Sequence, residues 1–417
     1  MRNVKYYNIR RAMTLRIFSF LFIICLIFPG MNHAAESDSP AALQQLSENL
    51  WNVDEYLATP PKAEWGKAMT PLVREVYYEG EPFQGKPTRV FAYYGKPEGA
   101  GPFPAVLLIH GGGGKAFADW AEIWAKRGYV AIAMDLAGHG PDAKLPDGGP
   151  NQDDTVKFRD FTIADGDYKN MWTYQAIAAI LRGHALLAVQ PEVDANRIAA
   201  TGISWGGYLT CILAGVDTKL RAAVPVYGCG FLHESSCWKG IFDKMTPEHR
   251  SRWVALFDPS RHVGRATCPM LFVNGTNDFA YPLDSYEKTY RLPKGVVSTS
   301  ITIERPHGHI FTFGEVGAYI DSVLLGTKPL AKVSEMKIDL EKREVRAEWS
   351  SEVSLEKADL VFTDELGEWS KRKWKSVPAE IRGNEVFATL PDSLPHCFYL
   401  LLTDNRGYPV STPIKIQ

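Results

Sequence analysis

Gly202-Ile203-Ser204-Trp205-Gly206-Gly207 is the stretch on which the reading of this chain turns. It has the G-x-S-x-G spacing of a nucleophile elbow, in which a strand turns sharply into a helix and leaves a serine hydroxyl at the corner. The apolar-leaning run Arg197-Ile198-Ala199-Ala200-Thr201 leads in. The helix-capable run Tyr208-Leu209-Thr210-Cys211-Ile212-Leu213-Ala214 leads out. A residue at so sharp a corner is held in strained backbone space, and its neighbours must be nearly free of side chains for the chains to pass. Glycine at 202, 206 and 207 meets that need. The turn also sets Ser204 Oγ at the carboxyl edge of a sheet and at a helix N-terminus, where negative charge is stabilised. A glycine-rich turn without chemistry is the alternative, and the rest of the chain decides between them.

On both sides of the elbow, strands alternate with helices. Leu72–Tyr78 and Arg89–Tyr94 alternate like an antiparallel pair. Ala105–Ile109 and Tyr129–Met134 are continuous apolar runs, as expected of strands buried on both faces of a parallel sheet. An amphipathic helix is expected over Phe117–Arg127, and further helices over roughly 168–189 and Phe313–Leu325. Further strands are expected at Ala222–Tyr227, Met270–Asn274 and Val297–Glu304. This rhythm predicts a doubly wound α/β fold with a mostly parallel sheet. Residues 229–263 break it with two helix-capable pieces around Thr246-Pro247, read as a cap segment over the sheet edge. Near Lys328-Pro329 the texture changes to short alternating strands, so residues 328–417 are expected to form a small β-sandwich. The main domain is expected over 36–327, with residues 36–70 wrapping its outside.

Of the 417 residues, 23% are charged and 45% hydrophobic, and the net charge is −2. That is the composition of a globular protein, and without a basic stripe it argues against a nucleic-acid partner. Residues 1–35 read as a signal peptide. Arg2, Lys5, Arg10, Arg11 and Arg16 precede the apolar run Ile17–Phe28, then Pro29-Gly30 and Ala34-Ala35. The run is too short for a comfortable membrane span. The expected location is therefore secreted or periplasmic by the general secretory route, with no stable membrane span after cleavage; an uncleaved anchor is the alternative. Of the six cysteines, five follow the leader; Cys229 and Cys237 are close enough in sequence to bridge, and Cys211 and Cys268 read as small buried hydrophobes. No zinc-binding spacing is present, and neither a metal nor a cofactor is expected.

Acyl transfer requires a nucleophile, a base, an acid that orients the base, and amides facing the developing anion. In this type of fold the order is Ser, Asp or Glu, His. Asp278 follows the strand Leu271–Asn274 in Asn274-Gly275-Thr276-Asn277-Asp278, which lets a carboxylate reach across the top of the sheet; Asp284 and Glu304 are weaker substitutes. Arg305-Pro306-His307-Gly308-His309-Ile310-Phe311 offers two histidines. Because a glycine often precedes the base in such loops, His309 is the expected base ahead of His307. The anion-holding amides are expected at Trp205, directly after the nucleophile, and at Gly112 and Gly113 of His110-Gly111-Gly112-Gly113-Gly114. Trp238, Phe279 and Tyr281 are expected to contact substrate, packing of the cap being the competing role.

These motifs resemble the α/β-hydrolase superfamily over roughly residues 70–327. Within it, H-G-G-G-G, G-I-S-W-G-G, N-G-T-N-D and P-H-G-H-I-F look most like the dienelactone hydrolase and acetyl xylan esterase-like group, near the prolyl-oligopeptidase-type hydrolases. The resemblance implies an α/β-hydrolase fold and a serine hydrolase acting on a small-molecule or polysaccharide ester, with an acetylated polysaccharide foremost. The chain departs from dienelactone enzymes, whose nucleophile is a cysteine. It has no room for the propeller of prolyl oligopeptidases, which weakens a peptidase reading. The third alternative is a degenerate hydrolase that binds glycans, against which the intact Ser, Asp and His set argues.

Overall fold

The computed structural model describes residues 38–152 and 155–417. The expected signal peptide lies outside them, and among the described residues no helix is long and apolar enough to cross a membrane.

Two short helices come first, α1 (Pro40–Glu48) and α2 (Val53–Ala58). Ser39 caps α1 by accepting from Ala42 N–H. The strands β1 (Ala63–Ala68), β2 (Val73–Glu79) and β3 (Arg89–Gly95) form an antiparallel ribbon. Then follow β4 (Phe103–Ile109), α3 (Ala118–Lys126), β5 (Val130–Met134), α4 (Trp172–Ala188), β6 (Val193–Ile203), α5 (Trp205–Val216) and β7 (Ala222–Val226). Residues 229–263 carry α6 (Lys239–Phe242) and α7 (Pro247–Phe257), and Thr246 caps α7 by accepting from His249 N–H. The chain returns through β8 (Met270–Gly275), α8 (Leu283–Tyr290), β9 (Val297–Thr302) and α9 (Gly314–Leu325).

The sheet order is β1-β2-β3-β5-β4-β6-β7-β8-β9. From β5 to β9 every pairing is parallel. The central strands are apolar throughout because helices cover both faces: every residue of β5, β7 and β8 is buried. The expected doubly wound fold is what the residues build. Helix α4 is buried nearly all round, and its His184 meets Asp217 at 2.6 Å, a buried pair that ties α4 to the end of α5.

The C-terminal residues form two antiparallel sheets. One contains Leu355–Thr363, Lys375–Pro378, Cys397–Asp404, Pro409–Ser411 and Lys415–Ile416. The other contains Lys332–Val333, Lys337–Asp339, Glu344–Ser350, Glu380–Arg382 and Glu385–Thr389. They bury Val345, Ala347, Val386, Leu360 and Leu400. The first sheet continues the central one. Ser411 pairs with Thr299 of β9, Thr299 Oγ1 donates to the Ser411 carbonyl at 2.8 Å, and 14 strands run as one sheet. This non-local join has no signature in the local sequence.

Candidate active site

Strand β6 ends at Ile203 and α5 begins at Trp205, so Ser204 is the corner itself. Its backbone sits at φ 60°, ψ −119°, a region that L-residues adopt only when their surroundings impose it. Two backbone bonds impose it here: Ser204 N–H donates to Val226 O, and Tyr208 N–H donates to Ser204 O, both at 2.9 Å. A Cβ on Gly206 would run into the Ile109 carbonyl, which explains the small residue after the turn.

The Ser204 hydroxyl lies 2.9 Å from His307 Nε2. His307 Nδ1 lies 2.7 Å from Asp278 Oδ2. The other carboxylate oxygen, Oδ1, accepts from Ala280 N–H at 2.9 Å and Tyr281 N–H at 2.8 Å. A carboxylate accepts, so Nδ1 carries the ring proton and the Nε2 lone pair faces the serine. The imidazole is held by rings as well. Tyr227 stacks on it at 4.6 Å and Phe279 packs tilted against it at 4.9 Å, while Tyr227 Oη donates to Pro306 O at 2.7 Å. The line Ser204–His307–Asp278 can take a proton from the hydroxyl as it attacks and return it to a leaving group.

The expected base, His309, does not reach the serine. Ile310 N–H closes back onto Gly308 O at 2.8 Å, so the chain doubles back at His309. The ring packs on Phe117 at 5.1 Å, and its Nε2 accepts from Gly111 N–H at 3.2 Å. Burial, and then the neighbouring His110, push its pKa below the ordinary histidine value. His309 is thus a neutral imidazole propping the glycine loop, and His307 takes the place expected for it.

The glycine loop is held from behind. The Gly111 carbonyl lies within hydrogen-bond distance of His110 Nδ1 (2.8 Å), Gly114 N–H (3.1 Å) and Gln152 Nε2 (3.2 Å). In a trans peptide the N–H points opposite to the carbonyl, so anchoring Gly111 O orients Gly112 N–H away from those donors. Gly112 lines the Ser204 cavity, and a Cβ there would lie 2.9 Å from Trp205 Cδ1. Trp205, first residue of α5, has no acceptor within the helix for its own N–H. Gly113 differs from expectation: it takes the turn at φ 66° and is not part of the cavity wall.

The cavity over Ser204 measures about 290 Å³, with His307, Gly112, Trp205, Trp238 and Phe279 in its wall. Trp238 and Phe279 therefore stand where substrate contact was expected. Tyr281 does not, because it is fully buried and meets Trp238 edge-on at 5.3 Å. A larger cleft of about 450 Å³ beside Tyr290–Thr299 and the C-terminal sheets contains no histidine. Among the described residues no cluster has the makings of a metal site. Cys229 and Cys237 are both free thiols, Cys229 buried and Cys237 exposed.

A dienelactone hydrolase family model matches residues 90–311, which contain the whole glycine loop, the elbow and both catalytic-type loops. The chain belongs to the dienelactone hydrolase family. Among curated relatives of this family member, acetyl esterase Axe7A of Xylanibacter ruminicola is 26% identical over 207 residues, 46% of each chain. The chain thus matches about half the length of that relative. Two solved structures share the fold. The acetyl xylan esterase from Paenibacillus sp. R4 has a TM-score of 0.56 at 22% identity, covering 69% of this chain and all of its own. Acetyl xylan esterase 1 from Thermoanaerobacterium sp. JW/SL YS485 has a TM-score of 0.53 at 19% identity, covering 69% and 98%.

Proposed function

We propose that this family member is a serine hydrolase that cleaves carboxylic esters, with short-acyl esters of carbohydrates as its substrate class, and that it acts after export. The observation that carries the reading is the hydrogen-bonded line Ser204–His307–Asp278 at the floor of a small cavity. In this reading Ser204 Oγ attacks the ester carbonyl while its proton passes to His307 Nε2. The oxyanion is held by the N–H groups of Trp205 and Gly112. His307 gives the proton to the departing alcohol, takes one from the water that attacks the acyl-enzyme, and returns it to Ser204 Oγ as the acyl–serine bond breaks and the acid leaves. Tryptophans at 205 and 238 wall the cavity and leave room for a small acyl group, which supports acetyl over long-chain esters. The acetyl esterases among the similar proteins support the same substrate class. Export rests on the basic and apolar residues Arg2–Phe28, and N-terminal sequencing of the protein recovered from the periplasm would check it.

The test is chemical. A fluorophosphonate should modify one serine, Ser204 by peptide mapping, and end hydrolysis of 4-nitrophenyl acetate. Acetyl esters should turn over faster than octanoyl esters and than aminoacyl anilides. Labelling at another residue, or preference for the anilide, would overturn the reading. Gly112→Ala should lower kcat on 4-nitrophenyl acetate by roughly 10²-fold, because the new methyl meets Trp205 and shifts an anion-holding amide.

A further inference from the structure

The C-terminal sheets reach the acid loop. Their loop between Thr363 and Lys375 runs beside Asn277, the residue before Asp278. Asn277 Nδ2 donates to the Arg372 carbonyl at 2.7 Å and to the Ser370 carbonyl at 3.2 Å. Its Oδ1 accepts from Thr276 Oγ1 at 2.7 Å. Thr276 Oγ1 in turn accepts from Glu304 N–H at 3.0 Å, in the segment that leads to His307. One chain of hydrogen bonds therefore joins the C-terminal region to the loops of both Asp278 and His307.

The docking loop is stiff in its own right. Arg372 donates to the Gly367 carbonyl from Nε at 3.2 Å and from Nη2 at 2.8 Å. Its guanidinium lies 3.4 Å from the Trp369 ring centre. Thr363 Oγ1 donates to Lys373 O at 2.8 Å. The two carbonyls that face Asn277 are thus presented by a braced loop.

We propose that the C-terminal β region positions the acid and base loops, with Asn277 as the positioning residue that transmits its hold to Asp278 and His307. The proposal rests on the Ser204–His307–Asp278 reading. Catalysis is sensitive to misplacements of about an ångström, so a loose Asn277 would alter turnover before it altered binding.

The experiment uses the full chain and steady-state kinetics on 4-nitrophenyl acetate, normalised to sites labelled by fluorophosphonate. Asn277→Leu should lower kcat per labelled site by about tenfold to a hundredfold, with KM changed by less than about threefold and labelling slowed in parallel. Arg372→Met, which unbraces the loop far from the serine, should move kcat in the same direction, and it serves if Asn277→Leu does not fold. Ser370→Ala should leave kcat unchanged, because the acceptor there is a backbone carbonyl. A contact with structural value alone would lower the melting temperature while kcat per labelled site stayed at the wild-type value, and that result in either variant overturns the proposal. If the wild-type chain itself is neither labelled nor active, the parent reading fails instead.

Discussion

His307→Ala lowers kcat on 4-nitrophenyl acetate by roughly 10⁴- to 10⁶-fold, the scale on which removal of a serine hydrolase base is felt, whereas His309→Gln retains most of the activity. The contrast follows from which nitrogen is free. His307 offers an Nε2 lone pair to Ser204 and has its Nδ1 proton held by Asp278. His309 already spends Nε2 on Gly111 N–H, so its remaining hydrogen sits on Nδ1 and it has no lone pair for the serine. A glutamine oxygen can accept from Gly111 in its place. His309→Phe cannot, and would leave that amide unpartnered, with an intermediate loss through the glycine loop. The pH profile separates the roles too. Burial lowers the His309 pKa, so this ring takes up a proton only below the ordinary histidine range. His309→Gln should therefore leave the acid limb of kcat/KM unchanged. A dead His309→Gln beside an active His307→Ala would reverse the assignment.

Why that choice was hidden in the sequence, while the serine and aspartate were not, is a matter of range. The elbow is local: its glycines, the strand before it and the helix after it lie within a few residues of Ser204, and the strained φ follows from the spacing. Asp278 is nearly as local, since it needs only a buried strand ending at Gly275 and a short loop. The two histidines are separated by one glycine, and what distinguishes them is the fold-back from Ile310 to Gly308 and the packing of His309 on Phe117, nearly two hundred residues away. Gly113 and Tyr281 fail for the same kind of reason. A run of glycines does not say which amide turns inward, and a run of aromatics does not say which ring reaches the cavity and which packs behind it. The short alternating strands of the C-terminal region were legible as a texture, but their continuation of the central sheet through Ser411 and Thr299, and the grip on Asn277, arise only on assembly.

Asp278→Asn is expected to lower kcat by about 10⁴-fold with little change in KM or fold, a loss known where an orienting aspartate becomes an amide. The change is nearly isosteric, so its effect isolates proton placement. Asp278 Oδ1 accepts from two backbone N–H groups, those of Ala280 and Tyr281. An asparagine must keep its oxygen there, because an NH₂ group would face two donors. Its nitrogen is then turned toward His307 Nδ1 and can only donate. That selects the ring tautomer with the proton on Nε2, and a proton on Nε2 meets the Ser204 hydroxyl instead of a lone pair. The nucleophile loses its base although no atom has moved far. Asp284, in the first turn of α8, and Glu304 are not the partners here, since His307 Nδ1–H donates to Asp278. Kinetics, the rate of fluorophosphonate labelling and the thermal midpoint, measured together, give the answer. Activity within tenfold of the wild type in a folded Asp278→Asn variant would mean that turnover does not run through this imidazole's tautomer.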